Sequence, residues 1–69
     1  MMILRFFLAL SEGIEKVKIL DYSYNTLIYE GSYHELMHKM DNDTNLSNAT
    51  VTHWEIADKN AVIIKIVWN

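Results

Sequence analysis

The spacing of hydrophobic positions changes along this chain, and each change predicts a new element. Ile3, Phe6, Phe7 and Leu10 stand at i, i+3, i+4 and i+7, which predicts a helix over residues 2–12. Arg5, Ala9 and Glu12 line its other side, and Gly13 is placed to close it in the left-handed region. A strand is the alternative for these residues. From residue 15 to 22 the period becomes two, with Val17 and Ile19 on one face and Lys16, Lys18 and Leu20 on the other. Ser23-Tyr24-Asn25 then reads as a turn, and residues 26–30 as a returning strand of a hairpin. After Gly31 and Ser32 a short helix is expected over residues 33–40, its core stripe being Tyr33, Leu36, Met37 and Met40. Residues 41–48 are rich in Asn and Asp and read as a polar loop. Alternation resumes over 49–57, with Trp54 and Ile56 on one face and Val51, His53 and Glu55 on the other. Asp58-Lys59-Asn60 turns the chain into the strongest strand, residues 61–68. There Val62, Ile64, Ile66 and Trp68 oppose Ile63, Lys65 and Val67.

The resulting order, αββαββ, predicts a single small α+β domain over residues 1–69. Its four-stranded, mainly antiparallel sheet would be covered by two short helices. The apolar surplus also bears on function. The last strand is apolar on both faces, and Leu20 and Ile28 occupy the nominally outer faces of theirs. Two helices on one side of the sheet would leave an apolar second face; one helix on each side would leave nothing over. A chain of 69 residues buries only about 60% of its unfolded surface, and apolar excess on so thin a core favours a homo-oligomer or a protein partner. The candidate contact residues are Phe6, Phe7 and Leu10 on the first helix, with Ile63 and Val67 on the sheet.

Composition narrows the classes. Hydrophobic residues make up 51% of the chain, with no proline and two glycines, which is a folding sequence and not a disordered one. The absence of cysteine removes disulfides, thiol nucleophiles and thiolate metal sites, and favours a reducing, cytoplasmic setting. Net charge is −3, and the six basic residues are scattered, so no phosphate-backbone footprint is expected and nucleic acid is not an expected partner. The apolar run at residues 1–10 is too short to span a bilayer, which needs about 20 residues. It carries Arg5 inside it and no cleavage site after it, so neither a membrane segment nor a signal peptide is expected.

One segment spells a chemistry. His34-Glu35-Leu36-Met37-His38 has the spacing of zinc peptidases, two imidazoles on one side of a helix with a Glu between them. Ser32-x-x-Glu35 overlaps it as a capping box, giving the Glu a structural task. His34, His38 and Asp41 cluster away from the core stripe and form the candidate metal ligands, with Asp41 or His53 as the third. The extended motif does not follow, since Lys39, Met40, Asp41 and Asn42 come next. The balance falls on a solvated helix face, with no metal or cofactor expected and no catalytic residue assigned. Asp41-x-Asp43-x-Asn45 begins like a calcium loop, but Leu46 and Thr52 occupy the positions that need Gly and Glu. Asn42, Asn45 and Asn48 head three glycosylation sequons that matter only in a secreted chain. Tyr22, Tyr24, Tyr29, Trp54 and Trp68 lack the flanking basic residues of a base-stacking platform, and the two tryptophans are assigned to core or interface.

The segments Val17-Lys18-Ile19-Leu20-Asp21 and Leu27-Ile28-Tyr29-Glu30-Gly31-Ser32, followed by a short helix, resemble a loose group of small proteins from phages, prophages and low-GC Gram-positive bacteria. The resemblance covers nearly the whole chain and implies the helix, hairpin, helix, hairpin order; it implies no activity. The expectation is therefore a non-enzymatic protein-interaction module of phage or mobile-element origin, self-associating through the residues named above. One version is an inhibitor of a host defence protein. The competing class is a metal-dependent hydrolase with His34 and His38 as ligands and Glu35 as base.

Overall fold

The computed structural model describes residues 2–11 and 13–68, and its architecture is α+β. The elements are β1 (Met2–Ile3), α1 (Leu4–Ala9), β2 (Lys16–Asp21), β3 (Leu27–Ser32), α2 (Tyr33–Asp41), α3 (Thr44–Ser47), β4 (Thr50–Asp58) and β5 (Ala61–Val67). The five strands form one sheet in the order β1-β4-β5-β2-β3. All neighbours are antiparallel except β2 and β5, which run parallel through the middle, with Ile19 beside Ile64. The expected four-stranded, two-helix arrangement is thus corrected to five strands and three helices. The two hairpins are joined by a parallel pairing between segments far apart in the chain.

The core lies on one face of the sheet. Val17 and Ile19 of β2 and Val62, Ile64 and Ile66 of β5 point to it, as their alternation requires. Leu4 and Leu8 of α1, Leu36 and Met40 of α2, Leu46 of α3 and Ala49 cover it. The Tyr33 hydroxyl donates to the Leu8 carbonyl oxygen at 2.8 Å, tying α2 to α1 on that same side. The opposite face carries Lys16, Lys18, Leu20, Ile63, Lys65 and Val67, an alternating polar and apolar surface that no helix among the described residues covers.

Three local expectations are corrected. The first concerns the N-terminus: Met2 and Ile3 pair with Val51 and Thr50 as β1, and the helix is the short segment Leu4–Ala9. Its buried stripe is Leu4 and Leu8, while Phe6 and Leu10 are exposed. Two overlapping i, i+4 stripes are apolar here, and the strand pairing of Met2 and Ile3 decides which one faces inward. The predicted end of the helix at Glu12 lies outside the described residues. Gly13 has φ +78° but follows the cap residue Leu10 at a distance, so it bends the connection to β2 and does not close the helix.

The second correction is the polar loop. The Asp43 side chain accepts from the Leu46 backbone N–H at 3.0 Å and starts α3, which seats Leu46 in the core. The third is the face of Val51. A bulge between Val51 and His53 inserts Thr52, so Val51, opposite Ile66, falls on the same side as Trp54, opposite Ile64. The helix expected at 33–40 is present as α2, with the Ser32 Oγ accepting from the Glu35 N–H at 3.1 Å.

Candidate functional site

The exposed apolar surface concentrates along β4. From Thr52 onward this strand has β5 on one side only, because β1 reaches no further than Thr50 and Val51. Thr52 to Asp58 therefore form a free sheet edge among the described residues. All of them are exposed, and Trp54 and Ile56 are 57% and 58% accessible. Strand edges leave backbone N–H and C=O groups unpaired, and natural sheets blunt them with charges, proline, bulges or covering loops. This one carries no lysine or proline between Thr52 and Asp58, but it carries Glu55 and Asp58 and a bulge near each end.

Beside the edge, on the helical side of the sheet, runs a groove of about 560 Å³. Met2, Phe7, Leu10 and Ile14 line it together with Trp54 and Ile56. The Phe7 and Trp54 rings meet at 5.6 Å with a 56° tilt, a favourable aromatic geometry that fixes the indole from one side. On the other face of β4, His53 stacks flat on Tyr22, with centroids 5.1 Å apart and planes within 3°. In the sheet His53 lies opposite Lys65, and Glu55 opposite Ile63.

The expected contact residues are divided by this geometry. Phe7 and Leu10 line the groove, Leu10 at 74% accessible. Phe6 points elsewhere: the Arg5 guanidinium sits over its ring at 5.0 Å, and it borders a separate recess with Ala9, Met37 and Met40. Ile63 and Val67 are half-buried on the opposite face of the sheet. Trp54 and Ile56, which complete the groove, were assigned a shared face by their alternation, but nothing local joins them to the first helix.

The histidine motif lies on the exposed side of α2. The His34 and His38 rings are 4.9 Å apart, edge to face, and Asp41 is exposed at the end of the same helix. The Glu35 N–H is held by Ser32. Among the described residues no group of three or more His, Cys, Asp or Glu side chains is placed to hold a metal ion, so Asp41 and His53 do not complete a ligand set with the pair. Two imidazoles alone leave half of a tetrahedral zinc shell to water. No helix among the described residues is long and apolar enough to cross a membrane.

No protein-family model matches the chain, and no curated protein or solved structure matches it.

Proposed function

We propose that this chain is a small, non-enzymatic protein-interaction module that takes an extended partner segment onto the free edge of β4. The observation that carries the reading is the coincidence of an unpaired strand edge with an apolar groove on the same element. Strand addition works through both: main-chain hydrogen bonds supply affinity, and pockets for alternate side chains supply selectivity. Trp54 and Ile56 point to the groove side and would contact alternate residues of the incoming strand, with Phe7 behind them. The cysteine-free composition supports a reducing cytoplasmic setting, and the resemblance of the two strand segments supports a phage or mobile-element origin.

Photo-crosslinking tests the reading. A photoreactive phenylalanine analogue is placed at position 54 or 56, with position 34 on the exposed side of α2 as the control. Illumination of cells expressing each variant should give discrete protein adducts from 54 and 56 that are absent from 34. The absence of any adduct from 54, or the same adducts from all three positions, would overturn it.

A further inference from the structure

We infer that the segment received by the edge of β4 is a basic one: a strand of another protein with a lysine or arginine between two apolar residues, the cation lying opposite Glu55. This rests on the reading of β4 as a docking edge and names the chemistry of its occupant.

The two faces of the edge favour different side chains. Those of an incoming strand alternate between the faces as those of β4 do. Trp54 and Ile56 lie on the helical side, against a groove whose lining carries no charged side chain. The incoming residues opposite them are therefore apolar, since a charge placed there would lose water and gain no partner. The residue between those two falls on the other face, directly opposite Glu55.

The Glu55 carboxylate is exposed, its neighbour on β5 is Ile63, and it makes no hydrogen bond or ion pair among the described residues. At a cross-strand Cβ separation of about 4.5–5.5 Å an opposite charge stabilises and a like charge destabilises. A cation two residues along the incoming strand, on the same face, is not equivalent. It would lie opposite His53, whose neighbour on β5 is Lys65 and whose ring is stacked on Tyr22. One position of the edge thus favours a cation and the next does not. The order apolar, basic, apolar is symmetric about Glu55, so it holds for a strand running in either direction.

The same carboxylate turns away other copies of this chain. β1 holds the lane beside Thr50 and Val51, so a second β4 fits antiparallel only when its residues 57 and 58 stay clear of that lane. The two-fold register that does so within the regular strand centres on Glu55 and sets the two carboxylates against each other. Centring the pair one residue further, on Ile56, would carry it across the bulge between Ile56 and Asp58. The charge that protects a bare edge from self-pairing is also the charge that selects a basic partner.

The test titrates two short peptides, Ser-Val-Lys-Val-Ser and Ser-Val-Glu-Val-Ser, acetylated and amidated at their ends, into the full chain labelled with nitrogen-15. The Trp54 indole and the backbone amides of residues 53–56 report binding at the edge. The lysine peptide should bind about tenfold more tightly than the glutamate peptide, since an attraction is gained and a repulsion avoided. Glu55→Lys should reverse the order and Glu55→Gln should bring the two within about twofold. Both variants change an exposed side chain without a partner, so the fold is kept. The chain's net charge of −3 would favour any cation, so Glu30→Lys on β3, exposed at the far edge of the sheet, is the control and should leave the order unchanged. Reversal by Glu30→Lys as well would make the effect one of net charge and overturn the inference. An order that survives Glu55→Lys, with the same amides shifting, would overturn the basic partner and leave the docking edge in place. No shift at residues 52–58 with about 5 mM peptide, where millimolar binding is substantially formed, would also overturn it. Crosslinked adducts from position 54 would then show the edge in use by a segment of other chemistry, and their absence would take the docking edge with it.

Discussion

Leu46→Ala tests whether residues 41–48 are a solvated loop or part of the core. Leu46 is fully buried although its neighbours Asn45 and Thr44 are exposed. Its substitution removes three buried carbons, worth about 2.4 kcal/mol at about 0.8 kcal/mol each. The residual cavity brings measured Leu→Ala costs to about 2.7–5 kcal/mol. A chain of this length has about 3–10 kcal/mol of total stability at the usual value per residue, so the loss is about a quarter or more of the whole. At about 4–8 °C per kcal/mol for a domain of this size, the melting midpoint should fall by at least about 11 °C. Urea unfolding followed by tryptophan fluorescence measures it, with Asn45→Ala as the exposed control. A loss below about 1 kcal/mol, equal to the control and with the same urea dependence, would refute the seating of α3 and return the segment to a loop.

Three further outcomes follow from the same packing. A Cβ at Gly31 would stand 2.8 Å from the Tyr29 hydroxyl, which donates to the Ser32 carbonyl oxygen, so Gly31→Ala should cost about 1–3 kcal/mol by displacing that ring. In a Tyr29→Phe background the cost should shrink, and strictly additive losses in urea unfolding would refute the contact. Burial raises the Tyr29 phenol above its ordinary value, the Glu35 charge adds to the rise and the Ser32 side chain opposes it. The folded state therefore favours the neutral phenol: its contribution is complete below pH 10 and is lost as pH climbs through the raised value. Tyr29→Phe should decline less steeply in that range, and parallel curves would exclude the effect. Calorimetric zinc titration should show binding far weaker than that of four-ligand structural sites, reduced by His38→Ala; stoichiometric submicromolar binding would revive the hydrolase.

Where one hydrophobic period dominates, the sequence and the fold agree. The alternation of β5 and of Val17 with Ile19, and the stripe of α2 behind its Ser32 cap, are local properties and needed nothing else. The N-terminal segment failed because Leu4 with Leu8 competes with Ile3 and Phe7 for the same core. That competition is settled by pairing to Thr50 and Val51, which no local pattern encodes. Val51 lies on the face its alternation does not predict because a bulge shifts the count by one, and α3 has no periodic signal because Leu46 is the lone apolar residue in a polar run. The candidate site shows the same division. Phe7 and Leu10 stood out as surplus apolar residues, but Trp54 and Ile56, which share their groove, come from β4, and only the sheet order brings the two together. Ile63 and Val67 signalled correctly that β5 is apolar on both sides, yet they belong to the opposite face.

The parallel pairing of β2 with β5 sets an order of assembly. β5 is the last of the described strands to be synthesised, and it lies at the middle of the sheet between β4 and β2. Until it exists, β2–β3 is an isolated hairpin and β4 has little more than the two residues of β1 beside it; a two-stranded unit is marginal in water. The nascent chain therefore exposes Val17, Ile19, Leu36 and Leu46 together and buries them only once β5 inserts. Long-range closure of this kind slows folding relative to local hairpins. A chain truncated before Ala61 would lose not a peripheral strand but the element that holds the two halves together.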